Sequence, residues 1–441
     1  MHKSYLYYLD EKPKNRYQFT LYVIQWLAYS SGAIITVPLI LGLPFGLDQL
    51  EIAALMQRIF FYTGIATLLQ IHMGHGIPMV EGPSSLWWAV MANLAVSARS
   101  MGMEASLLRS HMEFSMIAGG IITVIIAKLR IFEKAEGYFT PMLTGTTLVL
   151  LPLQASKMFI TGMLGITEKG PDIFTSVTSF IVIILVILIS IKTKGFVQSI
   201  SVLIGIFAGW LIHALFGKVN AGGLPVGPLV SFPKVFAWGI PTFGAGVFVT
   251  QTVISFISVV LAIASIKVTM QDLNFESSES INKGILVSGI SNVLAGIGGS
   301  VGTTPFATST GLIKISRVAS IYPFRVHAVV LVALGFVPVI SIAISTIPSS
   351  VAYSVFVVSM GTLLCLGLQE YKKLEFRIEE MLVVGISLIV GVGIISLPSY
   401  AFTNLPDWAA YTVSNGMVTG VAVCFILENA LKVLVKRDRT A

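Results

Sequence analysis

Long apolar runs follow one another along nearly the whole chain, separated only by short polar stretches. A crossing helix needs about 20 mostly apolar residues, and inside a bilayer only helices and closed barrels satisfy their own peptide groups. Such runs lie near 19–42, 52–73, 84–98, 112–128, 139–156, 173–191, 197–216, 245–266, 284–299, 308–321, 325–345, 349–368, 381–397 and 409–431, fourteen in all. Of the 441 residues 55% are apolar and 11% charged, against roughly 25% charged in a soluble domain. That excludes a soluble enzyme, a disordered chain and a nucleic-acid binder, and leaves an all-α polytopic membrane protein. Cys365 and Cys424 sit inside apolar runs as small hydrophobes. The N-terminal MHKSYLYYLDEKPKNRYQ lacks the apolar core and cleavage site of a signal peptide.

Lys and Arg set the expected topology, because they accumulate on the cytoplasmic side. Alternating from a cytoplasmic N-terminus, the inner segments carry Lys3, Lys12, Lys14 and Arg16; Lys128, Arg130 and Lys134; Lys192 and Lys194; Lys267 and Lys283; Lys314, Arg317 and Arg325; Lys372, Lys373 and Arg377; and Lys432, Lys436, Arg437 and Arg439. These are 21 of the 28 basic residues, which predicts both termini inside the cell and an even number of spans.

Two of the runs, 84–98 and 308–321, are short, and each follows a Gly/Pro/Ser/Thr-rich stretch, GHGIPMVEGPSS and GIGGSVGTTPFATST. They are the third span and the tenth, seven apart. The fifth and twelfth spans likewise both open on a proline, Pro141 and Pro348. Seven spans reverse orientation, so the second half reads as an inverted copy of the first. Interrupted helices at matching places in two halves point to a transporter's midplane site.

The chemistry of such breaks is specific. Pro305 cannot donate to a helix and Gly302 is loose, so 301–306 is expected to be extended, with a helix starting near Thr308–Thr310. Pro78, Gly82 and Pro83 have the same grammar, with Ser84 and Ser85 capping the helix that follows. Two helix N-termini facing one cavity offer free N–H groups to a small, flat, hydrogen-bonding solute or to an anion. Trp87 and Trp88 offer an apolar wall for a planar ring, or pack between helices.

These residues carry a resemblance. The stretch G-x-x-G-S-x-x-T-T followed by T-S-T-G, with Ser316-Arg317 four residues on, resembles the signature of the nucleobase–ascorbate transporters, which include uracil and xanthine permeases. Gln25-x-Leu27 with Gly32-Ala33 and Val37-Pro38 is similar to that family's first helix. Ile77-Pro78 with Gly82-Pro83-Ser84-Ser85 is similar to its third, and Phe139-x-Pro141 and Ile347-Pro348 to its fifth and twelfth. The resemblance implies fourteen spans in a seven-plus-seven inverted repeat. It implies a substrate-holding core, residues 17–130 and 244–345, and a gate, 131–243 and 346–433, with a homodimer as the family assembly. The chain departs from the pattern where the family carries acidic or amide ligands. Thr308 and Ser309 stand at those tenth-span positions, and 259–261 on the eighth span has only Ser255, Ser258 and Ser265 nearby. In this the chain resembles the divergent purine-permease branch.

Ionisable groups inside a membrane are costly and default to functional hypotheses. Glu81 adjoins the third-span break and is a candidate for binding solute or carrying a coupling proton; alternatively it caps backbone or pairs with His75. His72 and His75 are expected near the inner end of the second span, as proton relays or as solvated interface residues. Arg58 is expected to snorkel to the outer interface, His213 and His327 to be interfacial, and Glu428 to pair with Lys432. Lys314 and Arg317 read as inner anchors. No zinc motif, Cys/His cluster or P-loop is present, so no metal or cofactor is expected and transport is secondary.

The reading is a secondary transporter of the plasma membrane, not an enzyme, importing a purine such as xanthine, hypoxanthine or urate, or uracil, with proton coupling. The expected contacts are Glu81, Ser84, Ser85, Ala307, Thr308 and Ser309, with Ser255 and Ser258 on the eighth span. Two alternatives stay open: a sulfate-type anion transporter on the same fold, and a channel-like conductor.

Overall fold

A computed structural model describes residues 5–131, 140–219, 228–275 and 277–438; Lys3, Lys134, Phe139 and Arg439 lie outside the described residues. Helix ends follow local chemistry. Helix α1 (Arg16–Phe45) opens on Asn15, whose side chain accepts the Tyr17 N–H. It closes on Gly46 at φ 63°, a left-handed conformation that glycine adopts without a Cβ clash. Helix α2 (Gln49–Met73) opens on a capping box of Asp48 and Glu51. The third crossing is not one helix: strand β1 (Glu81–Pro83) leads into α3 (Ser85–Ser100), and α4 (Ala105–Lys128) returns. Helix α5 (Pro141–Met163) has Pro141 in its first turn and Thr140 accepting the Leu143 N–H. Helices α6 (Ile173–Lys192) and α7 (Ser201–Leu215) finish the first half.

The second half repeats this plan upside down. It runs α8 (Ala245–Asp272), α9 (Ser278–Ile297), β2 (Thr303–Pro305) with α10 (Ser309–Ser316), α11 (Ile321–Leu334) with α12 (Pro338–Ile344), α13 (Ser349–Tyr371) and α14 (Ile378–Ser396). It ends with α15 (Asp407–Val413) and α16 (Gly416–Asp438). Among the described residues eight helices are long and apolar enough to cross a membrane alone. The other crossings are shorter, more polar or broken. The fold is therefore an all-helical membrane protein of fourteen crossings in a seven-plus-seven inverted repeat.

Two expected spans are broken where a continuous helix was expected. In the eleventh, α11 and α12 meet at 86°. Pro338, at the start of α12, lacks the N–H that would continue the ladder. In the fourteenth, expected over 409–431, α15 stops and α16 begins beyond Ser414 and Asn415.

The helices pack in two groups. Helices α1, α2, α4, α8, α9 and α11 pack on one another and on the two strands, while α5, α6, α7, α13, α14 and α16 form the second group. Close approach in the first rests on small residues, as is common where lipid supplies no hydrophobic drive between helices. A Cβ on Gly120 of α4 would lie 2.8 Å from the Gly289 carbonyl oxygen of α9. The groups touch where α1 meets α13 and α3 meets α5, and α15 bridges them, packing on α8 and on α16.

The N-terminal segment straps the first group. Leu6 N–H donates to Arg317 O, and Tyr7 O and Leu9 O accept from Ala319 and Ile321. The Tyr8 hydroxyl donates to Leu273 O (2.7 Å) and Ser320 Oγ to Glu11 O (2.6 Å), beside the Lys314–Asp272 ion pair at 2.8 Å.

Candidate solute-binding site

The two breaks meet. Strands β1 and β2 pair antiparallel, with Glu81 opposite Pro305, Gly82 opposite Thr304 and Pro83 opposite Thr303. The ladder extends at both ends, with Phe306 N–H on Val80 O (2.9 Å) and Ser84 N–H on Gly302 O (3.0 Å). Three further bonds anchor it to the helices. Glu81 N–H donates to Thr67 Oγ1 (3.1 Å), Thr303 N–H to Asn292 Oδ1 (2.7 Å) and Val80 N–H to Ser309 Oγ (3.3 Å). Extended backbone buried in a membrane needs such partners, since no lipid atom replaces them.

Strand alternation gives this ribbon two faces. Glu81 and Thr303 share one. There the fully buried Glu81 carboxylate accepts from Gln70 Nε2 (3.0 Å), Ser288 Oγ (3.0 Å) and Thr303 Oγ1 (3.4 Å). The Gln70 amide also donates to Gly284 O and Ser288 Oγ, so α2, β1, β2 and α9 are joined through one carboxylate. On the other face Gly82 lies under the Phe306 ring; a Cβ there would come 2.5 Å from Phe306 Cζ. Beyond Phe306 the chain is accessible at Ala307 and Thr308, and the Thr308 hydroxyl sits 2.5 Å from the Tyr29 hydroxyl of α1.

Residues 17–400 match the Permease family model Xan_ur_permease. The chain belongs to this family. It is a membrane transporter, not an enzyme. Over 422 residues the permease is 28% identical to the xanthine permease of Bacillus subtilis, covering 94% of this chain and 93% of that one. It is 27% identical over 415 residues to the uric acid transporter UacT of Escherichia coli, 91% of this chain and 83% of that one. Its fold is that of the transmembrane domain of the cyanobacterial bicarbonate transporter BicA, with a TM-score of 0.61 at 14% identity over 94% of this chain and 98% of that one. Murine Solute Carrier 26 family member A9, an anion transporter, gives a TM-score of 0.65 at 12% identity over 97% and 69%.

The other residues singled out in the permease are dispersed. Ser84 and Thr308 precede α3 and α10 but make no side-chain cap, Thr308 because its hydroxyl is turned to Tyr29. Ser85 begins α3 and is half-buried. Ser309 holds the ribbon through Val80. On α8, Ser258 Oγ accepts from Trp87 Nε1 (3.3 Å), while Ser255 Oγ donates to Gln251 O of its own helix (2.9 Å). Trp87 and Trp88 are both buried, with Trp88 edge-on to Phe356 of α13 at 4.9 Å, so each packs between helices.

Several ionisable residues lie elsewhere than expected. His72 is exposed, but His75 is buried, its Nδ1 accepting the Ile77 N–H. Neither touches Glu81, because Gln70 intervenes: its Oε1 accepts the His75 N–H (3.4 Å). His213, in the last turn of α7, and His327 are buried, bonded to Gly209 O and Ser30 Oγ, both at 2.9 Å. Arg58 does not snorkel. It is 6% exposed and donates from Nε to Gly299 O (3.0 Å), within the electrostatic reach of Glu113. Glu113 accepts the Trp238 N–H (2.9 Å), so the two charges clasp the turn from which β2 starts. Lys432 pairs with Glu428 at 2.8 Å as expected.

Sequence reasoning missed Gln70, Ser288, Thr303, Tyr29 and Glu113. A glutamine or glutamate inside an apolar run is itself a signal, and it was available for Gln70 and Glu113. Nothing local marks Tyr29 or Ser288, and Thr303 stands out only as part of the T-T in the tenth-span signature; their roles depend on partners more than 200 residues away.

Proposed function

We propose that the permease is a secondary transporter of the plasma membrane that imports a nucleobase by alternating access. The solute is a purine such as xanthine, hypoxanthine or urate, or uracil. The observation that carries this reading is the paired ribbon, with Phe306, Thr308 and Tyr29 on its accessible face and one carboxylate, Glu81, locked on its other face. A planar ring is suited to lie on Phe306, with its polar edge meeting the Thr308 hydroxyl and the N–H groups opening α10. The names of the sequence relatives, a xanthine permease and a uric acid transporter, support the same class of solute. The ribbon and its surrounding helices, residues 17–130 and 244–345, act as the core that carries the solute. Residues 131–243 and 346–433 act as the gate against which it moves. Both termini face the cytoplasm, which places Lys314 inside and Gly244 outside. A proton on Glu81 couples the cycle to the pH gradient.

Purified permease in proteoliposomes should show saturable uptake of a radiolabelled base, competed by other bases and not by sulfate. Competition by sulfate alone would favour the anion reading, and flux linear in concentration a channel; either would overturn the proposal. In the same assay Thr308→Ala with Ser309→Ala should weaken apparent affinity at least about fivefold, about 1 kcal/mol for the solute's bond to Thr308, with any further loss coming from the Val80 N–H that Ser309 no longer accepts. Unchanged uptake by the double variant would remove the tenth crossing from the site.

A further inference from the structure

Helix α8 carries a polar face. Gln251, Ser255, Ser258 and Thr269 fall on one side of it by their helical spacing, and all four are buried, Gln251 to 1% exposure. Three of these side chains are bonded: Ser255 to Gln251 O, Ser258 to Trp87 Nε1, and Thr269 to Ser265 O at 2.9 Å and Thr310 Oγ1 at 2.5 Å. The Gln251 amide is the exception. Neither its Nε2 nor its Oε1 has a partner among the described residues. Burying both ends of a primary amide unpaired is destabilising, and a leucine would fill the same space without that cost.

The position of Gln251 suggests what the amide meets. It lies about 10 Å from Ser258 along the helix axis, toward the Gly244 end of α8 and away from the Lys314–Asp272 pair. Its neighbour Thr250 bonds Thr412 of α15, Oγ1 to Oγ1 at 3.3 Å, where α15 bridges α8 and the second helix group. Asn415, just past α15, is buried too, with no partner for its Nδ2 among the described residues. The site around Thr308 is accessible while this junction is closed. An alternating-access cycle opens the two in turn.

We infer that Gln251 is a second solute contact, on the outer half of α8, that takes the edge of the incoming base when α8 and α15 part. A side-chain amide presents a donor beside an acceptor, and so does the lactam edge of a purinone or pyrimidinone, so the two match as a pair of neutral hydrogen bonds. The inference rests on the proposed nucleobase reading; on its own terms it assigns the residue that receives the base before the ribbon does.

Uptake and efflux in proteoliposomes of known orientation test it. Gln251→Met and Gln251→Leu keep the side-chain bulk and remove both polar atoms. Each should raise the KM for uptake from the outer side about tenfold, change the KM for efflux much less, and leave the melting temperature unchanged or higher. An unchanged outer KM would overturn the inference. So would equal losses from both sides accompanied by a lower melting temperature, or failure of both variants to fold, because these assign the amide a structural role. If the wild-type permease takes up no base, the nucleobase reading fails; if it does and the variants match it, only Gln251 fails.

Discussion

Replacing Glu81 by glutamine should abolish uptake driven by a pH gradient while leaving base exchange between the two sides partly intact. The carboxylate accepts from Gln70, Ser288 and Thr303 at 3.0–3.4 Å, fully buried. Glutamine has the same shape, and the Ser288 and Thr303 hydroxyls can rotate to accept from its N–H₂ group. The ribbon should therefore stay assembled, while the group that titrates is gone. Glu81→Leu is different. It leaves the buried Ser288 and Thr303 hydroxyls without their acceptor, at about 1–3 kcal/mol each, and should destabilise the fold strongly. Proteoliposomes with an imposed pH gradient measure driven uptake, and counterflow of labelled base against unlabelled measures exchange. Wild-type driven uptake in Glu81→Gln would rule this carboxylate out as the coupling group. His75, buried with no partner on Nε2 among the described residues, would then be the next residue to test.

Gly302→Ala should cost both stability and transport. The added Cβ would lie 2.6 Å from Cγ and Cε2 of Trp87, closer than any non-bonded carbons can approach. Trp87 is buried and bonded to Ser258 through Nε1, so the ring has no free direction to move in. Either the indole leaves Ser258 or the ribbon shifts at the residue before Thr303. Overpacking of this kind costs about 1–3 kcal/mol, with about 1 more for the lost bond, and the strain falls on the backbone that forms the site. Gly361→Ala is the control, since nothing lies within 4 Å of a Cβ there. Thermal unfolding in detergent together with uptake should separate the two variants clearly. Wild-type melting and uptake in Gly302→Ala would mean that Trp87 and the ribbon are not held as tightly as their packing implies.

The number of crossings, the two breaks and their equivalence were all legible in the chain. Each is local: a run of apolar residues either reaches across a bilayer or does not, and Pro305, Pro78 and Pro83 deny the backbone a helix whatever surrounds them. The bends at Gly335–Val337 and at Ser414–Asn415 were harder to see, because the flanking residues are apolar on both sides and hydropathy does not register direction.

The candidate site was legible only in outline. Sequence placed Glu81 beside a break, but not on which face of the ribbon. That was decided by the pairing with β2, which turns the carboxylate toward Ser288 and Gln70 and turns Gly82 toward Phe306. Sequence placed Arg58 within reach of an interface, yet a carbonyl at Gly299 and a carboxylate at Glu113 hold it inside. It placed Thr308 at a helix start, where a cap is the local expectation, and Tyr29, 279 residues earlier, takes the hydroxyl instead. What the sequence by itself determined were properties set within one turn or one span: length, hydropathy, and where a helix must stop. What only the tertiary structure decided was which buried polar atoms meet. In a membrane an unpaired buried polar atom is costly, and the partners that most of them find are supplied by segments that come together only when the two halves of the chain interlock.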